Sequence, residues 1–177
     1  SVRRFNGAIR RTFHCPPREF RRASRGVRPS RWLELRLPYR PPLDWDSLLG
    51  FLAARATPGV EIVEKDRYRR TIRTSAGFGV LEVTPSPERA ALLLRVGAPP
   101  GPGLDRIVQR VRRLFDLGAD PMQIAKDLGR DTLLAPAVRA HPGLRVPGAW
   151  NGFESAVRAV LGQQVSVRGA TTMAGRL

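Results

Sequence analysis

The fold is decided by the stretch VEIVEKDRYRRTIRTSAGFGVLEVTPSPERAALLLRV, residues 60–96. Short runs rich in β-branched, aromatic and aliphatic residues are separated by clusters of Gly, Pro, Asp and Ser. This pattern is typical of short strands joined by turns. Because the connections are short, we predict an antiparallel meander. Its four strands are predicted at Val60–Glu64, Tyr68–Thr74, Gly79–Thr84 and Ala91–Val96.

Elements on both sides of this meander complete a predicted α+β domain. Upstream, leucines alternate with polar residues over 32–37, which predicts a further strand. A helix is predicted over 45–56, since Asp44 can cap it and apolar residues recur at helical spacing. Downstream, a strongly amphipathic pattern predicts a second helix over 104–117. We therefore predict a small antiparallel sheet with helices on one side, spanning residues 31–117.

The flanking segments have helical patterns. Residues 118–177 are predicted to start an all-α domain, with its last helix running to the final residue. Before the α+β domain, residues 1–23 contain two short helical pieces, and residues 24–30 form a polar linker with Gly and Pro. Caps and breaks place the four helices of the later segment at Pro121–Leu128, Thr132–Ala140, Gly152–Leu161 and Ser166–Leu177.

The charge balance favours an anionic partner, most simply nucleic acid. The formal net charge is +16, from 31 Lys and Arg against 15 Asp and Glu. A GC-rich genome explains the choice of Arg over Lys, but it does not explain the excess over acid. Ten arginines lie within residues 1–31, beside a single acid. Such an excess is typical of proteins that contact phosphate backbones.

Other classes of protein and site fit the composition poorly. No stretch approaches the roughly 18 apolar residues that a membrane-spanning helix requires, and the first residues are not those of a signal peptide. We expect a cytoplasmic protein without a membrane partner. Cys15 is the only cysteine, and His14 and His141 are the only histidines. Neither an intrachain disulfide nor a Cys/His metal site is predicted.

Two strings resemble a known family. They are LLGFLAARA, residues 48–56, and FESAVRAVLGQQVSV, residues 153–167. The first resembles the N-terminal domain of AlkA-type 3-methyladenine DNA glycosylase II, which implies an α+β, TBP-like fold. The second resembles the opening of the helical domain that helix–hairpin–helix glycosylases share. The resemblance implies excision of alkylated bases from double-stranded DNA by hydrolysis of the N-glycosidic bond. It implies no cofactor and no metal, and we expect a monomer that works at the nucleoid.

A second resemblance concerns the beginning of the chain. FNGAIRR, residues 5–11, and PPREFR, residues 16–21, resemble the closing helices of an AraC-type helix-turn-helix domain. The order of the two resemblances is similar to an Ada-type alkylation-response regulator fused to an AlkA-type glycosylase. A domain of this kind grips DNA phosphates through basic side chains. The residues that this resemblance assigns to DNA binding are Arg3, Arg4, Arg10 and Arg11.

The turn after Leu161 is the candidate for gap filling. An enzyme that acts on a base within a duplex must extrude it, and a side chain must occupy the vacated space. The resemblance places that role at Gln163 or Gln164, with Ser166 beside them in contact with DNA. A glutamine amide both donates and accepts hydrogen bonds, which suits an orphaned base. The alternative is an ordinary polar turn between two helices.

Phe51 is the candidate for the base pocket. Alkylated purines often carry positive charge, and an aromatic face attracts cations. The matching aromatic of the family approaches the extruded base. The alternative is core packing alone, because Phe51 lies within one helical turn of the apolar Leu48. For Trp45 and Trp150, packing is the favoured interpretation.

The catalytic residue is expected elsewhere. AlkA-type enzymes use an Asp next to a hairpin whose backbone amides grip a phosphate, and no Asp of this chain matches its position. We therefore expect the catalytic Asp beyond Leu177 and predict no catalytic residue within residues 1–177. The alternative function is a DNA-binding transcription regulator of the alkylation response that performs no catalysis.

Overall fold

The structure is a computed structural model that describes residues 32–75, 77–98 and 103–176. The predicted helical pieces of residues 1–23, the linker 24–30 and the four candidate arginines at positions 3, 4, 10 and 11 lie outside the described residues. In chain order the elements are β1 (Leu33–Pro38), α1 (Trp45–Ala53), β2 (Glu61–Glu64), β3 (Arg67–Thr74), β4 (Gly77–Ser86), a 3-10 helix (Pro87–Arg89), β5 (Ala91–Gly97), α2 (Leu104–Leu114), α3 (Pro121–Leu128), α4 (Ala135–Ala140), α5 (Gly152–Leu161) and α6 (Val167–Arg176).

The strands form one antiparallel sheet in the order β1-β5-β4-β3-β2. Strands β2, β3 and β4 each pair with the next strand along the chain, and β1 pairs with β5 at the far edge. The central register aligns Leu81 of β4 with Arg70 of β3 and Val96 of β5. The predicted α+β class and the antiparallel meander are confirmed.

One face of the sheet and the helices α1 and α2 enclose the core. Side chains two residues apart share a face of a strand, so each strand contributes alternate apolar residues. Burying one Leu or Ile side chain contributes about 1.5–3 kcal/mol, which makes this packing the main support of the sheet. The core residues from the strands are Leu37, Tyr68, Ile72, Leu81, Val83, Leu92, Leu94 and Val96, and those from the two helices are Leu48, Leu49, Leu52, Ile107, Val111 and Leu114.

Capping side chains set the starts of two helices where the sequence predicts them. The carboxylate of Asp44 accepts a hydrogen bond from the backbone N–H of Ser47 at 3.0 Å, before α1. The carboxylate of Asp120 accepts from the N–H of Gln123 at 3.1 Å, before α3. Each bond satisfies one of the N–H groups that a helix leaves unpaired at its start.

Three predicted helices are too long by three residues at one end: 45–56, 104–117 and 132–140. Near the end of α1, the N–H of Arg55 bonds to the carbonyl of Leu52, a tighter turn than the α-helix. After α2, Asp116 adopts a left-handed φ of 49°, which the helix cannot accommodate. Before α4, the carboxylate of Asp131 holds a turn by accepting from the N–H groups of Leu133 and Leu134.

The alternation along β3 divides its arginines between the two faces of the sheet. Arg70 lies on the core face, and the outer face carries Arg67, Arg69 and Arg73. On that outer face the carboxylate of Glu82 lies 3.2 Å from the guanidinium of Arg67 and 3.2 Å from that of Arg95. Charge on this face is thus partly neutralised within the sheet.

A buried arginine fastens the segment after α4. Arg145 donates hydrogen bonds to four backbone carbonyls, so it connects three loops that are distant in sequence. Its acceptors are the carbonyl oxygens of Arg40, Pro42, Asp116 and Ala119.

Within the described ranges, no helix is long and apolar enough to cross a membrane.

Candidate functional site

The last two helices form a hairpin whose turn is exposed. Helix α5 begins after Asn151, whose side chain accepts a hydrogen bond from the N–H of Glu154 at 2.8 Å. It ends at Gly162, whose N–H bonds to the carbonyl of Arg158 at 2.8 Å. A Cβ at Gly162 would lie 4.0 Å from the Cβ of Ala170, so the two helices approach closely there. Small residues thus let the hairpin close tightly beneath its turn.

Three predicted site residues come together in this turn. Gln163, Gln164 and Ser166 are all exposed. Gln164 has a φ of 60°, the left-handed region that costs a non-glycine residue roughly 1–2 kcal/mol. The hydroxyl of Ser166 accepts a hydrogen bond from the N–H of Gly169 at 3.1 Å, which caps α6. The turn therefore presents two glutamine side chains to the surroundings on a strained backbone.

Phe51 lies on α1 with 41% of its surface exposed. Its neighbours Leu48, Leu49 and Leu52 are buried, whereas the described residues leave the Phe51 ring exposed. The guanidinium carbon of Arg55 lies 3.7 Å from the centre of its ring. The ring does not line the groove of about 520 Å³ beside the end of α1. Phe51 therefore has an exposed ring, and the guanidinium of Arg55 covers one face of it.

Trp45 and Trp150 pack against other side chains, as predicted. Trp150 is buried in the core, with the guanidinium carbon of Arg70 lying 4.4 Å from the centre of its ring. Trp45 is half-buried and stacks on Phe115, with 5.4 Å between the ring centres.

A buried polar cluster lies between the sheet and α5. Glu61 of β2 accepts a hydrogen bond from the hydroxyl of Tyr68 at 2.7 Å and one from the N–H of Thr57 at 3.1 Å. Arg70 of β3, with 1% of its side chain exposed, pairs with Glu61 at 3.3 Å. The same guanidinium pairs with Glu154 of α5 at 2.8 Å. The cluster therefore joins two strands to the first turn of α5.

Arg158 adds a second link, one turn further along α5. Its guanidinium pairs with the carboxylate of Glu61. It also donates to the hydroxyl of Thr57 at 2.9 Å and to the carbonyl oxygen of Arg55 at 2.6 Å. Arg55 immediately follows the turn that ends α1, and Phe51 lies one helical turn earlier. One side chain thus connects the helix that carries the exposed turn with the helix that carries Phe51.

Helix α6 touches the same loop. A Cβ at Gly175 would lie 2.9 Å from the Cδ of Pro58, so the two residues are in close contact. Pro58 belongs to the connection between α1 and β2. Both helices of the hairpin are therefore docked against this connection, α5 by hydrogen bonds and α6 by close packing.

The electrostatics of the cluster favour an ionised Glu61. Burial by itself would raise the pKa of this carboxyl. The guanidinium groups of Arg70 and Arg158 and the hydrogen bonds from Tyr68 and Thr57 outweigh burial and hold the pKa below its ordinary value. Burial raises the pKa of the Tyr68 hydroxyl, which stays protonated and donates. The cluster is a set of paired charges at neutral pH rather than a proton-transfer site.

Sequence reasoning missed this cluster. The charge of Arg70 gives no reason to expect its burial. Glu154 and Arg158 are four residues apart, a spacing that puts both on one face of a helix. That spacing was the available signal, but it equally fits an ion pair within the helix. In the structure both side chains reach away from α5, to Arg70 and Glu61.

Metal coordination has no support in the part of the chain that the structure describes. There, no group of three His, Cys, Asp or Glu side chains is arranged to hold a metal ion.

Comparison with known proteins yields one family match and several relatives. The AlkA N-terminal domain family matches residues 34–151. The "Probable bifunctional transcriptional activator/DNA repair enzyme AlkA" of Mycobacterium tuberculosis is 40% identical over 100% of this chain and 36% of its own length. "DNA-3-methyladenine glycosylase 2" of Escherichia coli K12 is 38% identical over 80% of this chain and 48% of its own length. The chain therefore spans less than half of either relative.

A solved structure shares the fold. The 3-methyladenine DNA-glycosylase from Archaeoglobus fulgidus superposes with a TM-score of 0.67 at 20% identity, covering 80% of this chain and 48% of its own. At that identity the likeness concerns the arrangement of the elements and carries no residue roles.

Proposed function

The chain belongs to the AlkA N-terminal domain family, and from this premise we propose that it works in the excision of alkylated bases from double-stranded DNA. The reaction is hydrolysis of the N-glycosidic bond of a base such as 3-methyladenine, the first step of base excision repair. The two relatives described above carry DNA repair and glycosylase activity in their names. The proposal extends that activity to this chain.

The observation that carries the proposal is the exposed turn between α5 and α6. Extruding a base costs a few kcal/mol and leaves a gap in the stack. A gap-filling residue must project from a rigid support, and the turn is held by two helices docked on the sheet domain. Gln164 keeps a left-handed φ without being glycine. Strain of this kind is concentrated at functional sites, which supports Gln163 or Gln164 as the side chain that enters the duplex, with Ser166 beside it.

Phe51 is proposed as a wall of the base pocket. Its exposed ring can stack on a purine, and a cationic alkylated base gains roughly 0.5–2 kcal/mol from an aromatic face. The groove beside α1 does not include Phe51. This groove is therefore not proposed as the base pocket.

The remaining features of the proposal follow the resemblance. The catalytic Asp and the phosphate-gripping hairpin are proposed to lie beyond Leu177, in a helical domain that starts at residue 118 and follows an α+β domain at residues 31–117. The partner is double-stranded DNA that contains alkylated bases. The protein acts as a monomer in the cytoplasm, at the nucleoid, and requires no cofactor.

A base-release assay tests the proposal. The longer protein that carries this sequence is incubated with methylated duplex DNA, and free 3-methyladenine is measured. Gln163→Ala and Gln164→Ala are each compared with Gln109→Ala, an exposed glutamine on α2. We expect release by the unsubstituted protein and by the control, and at least one turn variant slower by about tenfold or more. Absence of release from the longer protein overturns the proposed reaction, and full activity of both turn variants overturns their gap-filling role.

A second role in transcription is favoured by the relative from M. tuberculosis, which matches the whole chain and whose name includes transcriptional activation. We propose that residues 1–23 belong to an AraC-type helix-turn-helix domain. The arginines proposed to contact phosphates are Arg3, Arg4, Arg10 and Arg11. Replacing these four by Gln should weaken binding to the promoter of the protein's own gene and reduce its salt dependence. Base release should be unaffected, and unchanged promoter binding would contradict this role.

A further inference from the structure

We propose that Arg158 is a positioning residue that fixes the gap-filling turn relative to the helix that carries Phe51. The inference rests on the proposed function for its catalytic consequence, but its geometric content stands on the structure alone. Arg158 is not part of the turn, and it is not proposed to touch DNA or the base. It acts through the placement of α5.

The guanidinium of Arg158 bonds to acceptors in the loop that follows α1 and at the start of β2. One nitrogen donates to the carbonyl of Arg55, at the end of α1, at 2.6 Å. The other nitrogen donates to the hydroxyl of Thr57 at 2.9 Å and pairs with Glu61. Two of the acceptors, Arg55 and Thr57, lie in the connection from α1 to β2, and the third, Glu61, is the first residue of β2. The bonds of Arg158 therefore fix the distance from α5 to this connection and to the start of β2.

Arg158 also lies close to the gap-filling turn. Its backbone carbonyl accepts the hydrogen bond from Gly162 at 2.8 Å, the bond that ends α5. Gln163 follows directly. The same residue therefore holds the sheet domain with its side chain and the start of the turn with its backbone.

Two side chains of α5, which we call its anchors, bond to the sheet domain. Glu154 pairs with Arg70 in the first turn, and Arg158 bonds one turn later. A helix held at one point can swing about it, whereas two points on one face fix its direction and rotation. Since α5 and α6 bury no residue completely, apolar packing holds the hairpin less firmly than it holds α1 and α2. Loss of the anchor nearer the turn should therefore move the turn most.

The chemistry requires arginine. A guanidinium has five N–H donors in a planar fork and can serve several acceptors at once. Lysine carries the same charge on a single nitrogen with a shorter reach. Arg158→Lys should keep the attraction to Glu61 and hence the fold, but it should lose the simultaneous bonds to Thr57 and to the carbonyl of Arg55.

A distance measurement tests the geometry without reference to activity. Spin labels are attached at Ser47→Cys on α1 and Thr172→Cys on α6, both exposed positions, in a Cys15→Ser background of the longer protein. We expect one narrow distance distribution with Arg158, and a broader or shifted one in Arg158→Lys and Arg158→Met. The matched control is Arg139→Met, which removes an exposed arginine from α4 and should leave the distribution narrow.

A second measurement tests the catalytic consequence. Extrusion is followed by the fluorescence of 2-aminopurine next to the lesion, and excision by single-turnover kinetics. Misplacing a functional group by about 1 Å can cost on the order of a hundredfold in rate. We expect extrusion and excision to fall about ten- to a hundredfold in Arg158→Lys. Affinity for duplex DNA should stay within about twofold, because phosphate contacts dominate it.

The outcomes separate this proposal from the proposed function. Unchanged distance distributions in both Arg158 variants overturn the positioning role, whatever the activity. Broadened distributions in a protein that never releases a base support the positioning role and overturn the glycosylase assignment. If thermal melting shows that Arg158→Met does not fold, the result for Arg158→Lys decides. A folded Arg158→Lys with wild-type distances and wild-type extrusion overturns the proposal.

Discussion

The sheet domain and the terminal hairpin are held by different forces. Helices α1 and α2 bury apolar side chains against the sheet, including Leu48 and Val111. Helices α5 and α6 bury no residue completely, and α5 joins the sheet through Glu154 and Arg158. The first contact is broad and apolar, whereas the second depends on a few polar atoms.

This difference shows which kind of contact fixes the orientation of a helix. Apolar burial is proportional to area and is non-directional, so it makes a domain stable without fixing a surface helix closely. Hydrogen bonds and ion pairs depend on distance and angle, so they fix a helix in one orientation. A hairpin that must present a turn at a defined place gains more from the second kind of contact. The predictions below test whether the two regions differ in this way.

The largest effect is expected in the core. Leu81 of β4 is fully buried, so Leu81→Ala should reduce the free energy of unfolding by about 3–5 kcal/mol through lost burial and the cavity left behind. Leu133→Ala, at a position that is 86% exposed, should cost less than about 0.5 kcal/mol. Urea unfolding measures both. Similar costs for the two variants would show that apolar burial against the sheet is not the main support of the sheet domain.

The polar cluster should give the next largest effect, and it should depend on pH. Glu61→Gln leaves Arg70 and Arg158 without their shared carboxylate, which should cost about 3 kcal/mol at neutral pH. The folded-state pKa of Glu61 lies below its ordinary value of 4.5. Its stabilising contribution is therefore present above that value and is lost as the pH falls through the lower, folded-state pKa.

Unfolding curves at neutral pH and at steps below pH 4.5 check this sign. The difference in the free energy of unfolding between wild type and Glu61→Gln should shrink as the pH falls. Glu64→Gln is the matched control, since Glu64 lies exposed on the same strand, and it should cost little at any pH. A difference that grows in acid would contradict the ionised pairing of Glu61.

The core was more predictable from the sequence than the site was. Strand alternation, turn residues and caps are local signals, and they located all five strands and the six α-helices of the described residues to within a few positions. The side chains of Asp44 and Asp120 act as caps where they were expected. Helix ends were less accurate, because local turns decide where a helix starts or stops, such as the turn that Asp131 holds before α4.

Phe51 shows why a single helix pattern left the site undecided. Successive helical residues are about 100° apart, and the buried positions 48, 49 and 52 define a face whose edge lies near Phe51. A position at such an edge can be buried or exposed, depending on what packs beside it. The polar cluster was harder still, since Glu61, Arg70 and Arg158 meet only after the sheet and α5 are in place.

A smaller effect is expected where α6 meets the loop. A Cβ on Gly175 would lie 2.9 Å from the Cδ of Pro58, closer than packing allows. Gly175→Ala should therefore cost about 1 kcal/mol. On the same helix, a Cβ at Gly169 would lie an ordinary 3.4 Å from its nearest neighbour, the Oγ of Ser166. Gly169→Ala should therefore stabilise the protein by about 0.5–1 kcal/mol through helix propensity. Thermal melting compares the two, and equal stabilisation would mean that α6 does not dock on Pro58.

The smallest effect should move stability and activity in opposite directions. Gln164 keeps a left-handed φ of 60°, so Gln164→Gly should remove strain and stabilise the protein by about 0.5 kcal/mol after the entropy of the unfolded glycine is counted. The same change removes one of the two proposed gap-filling side chains, so base release should slow where Gln164 fills the gap. Lys65→Gly is the matched control, because Lys65 has a φ of 52° in the turn between β2 and β3. It should gain similar stability and keep full activity. Should Gln164→Gly lose stability instead, the surroundings must favour the glutamine in that conformation, and the strain would no longer point to a function at the turn.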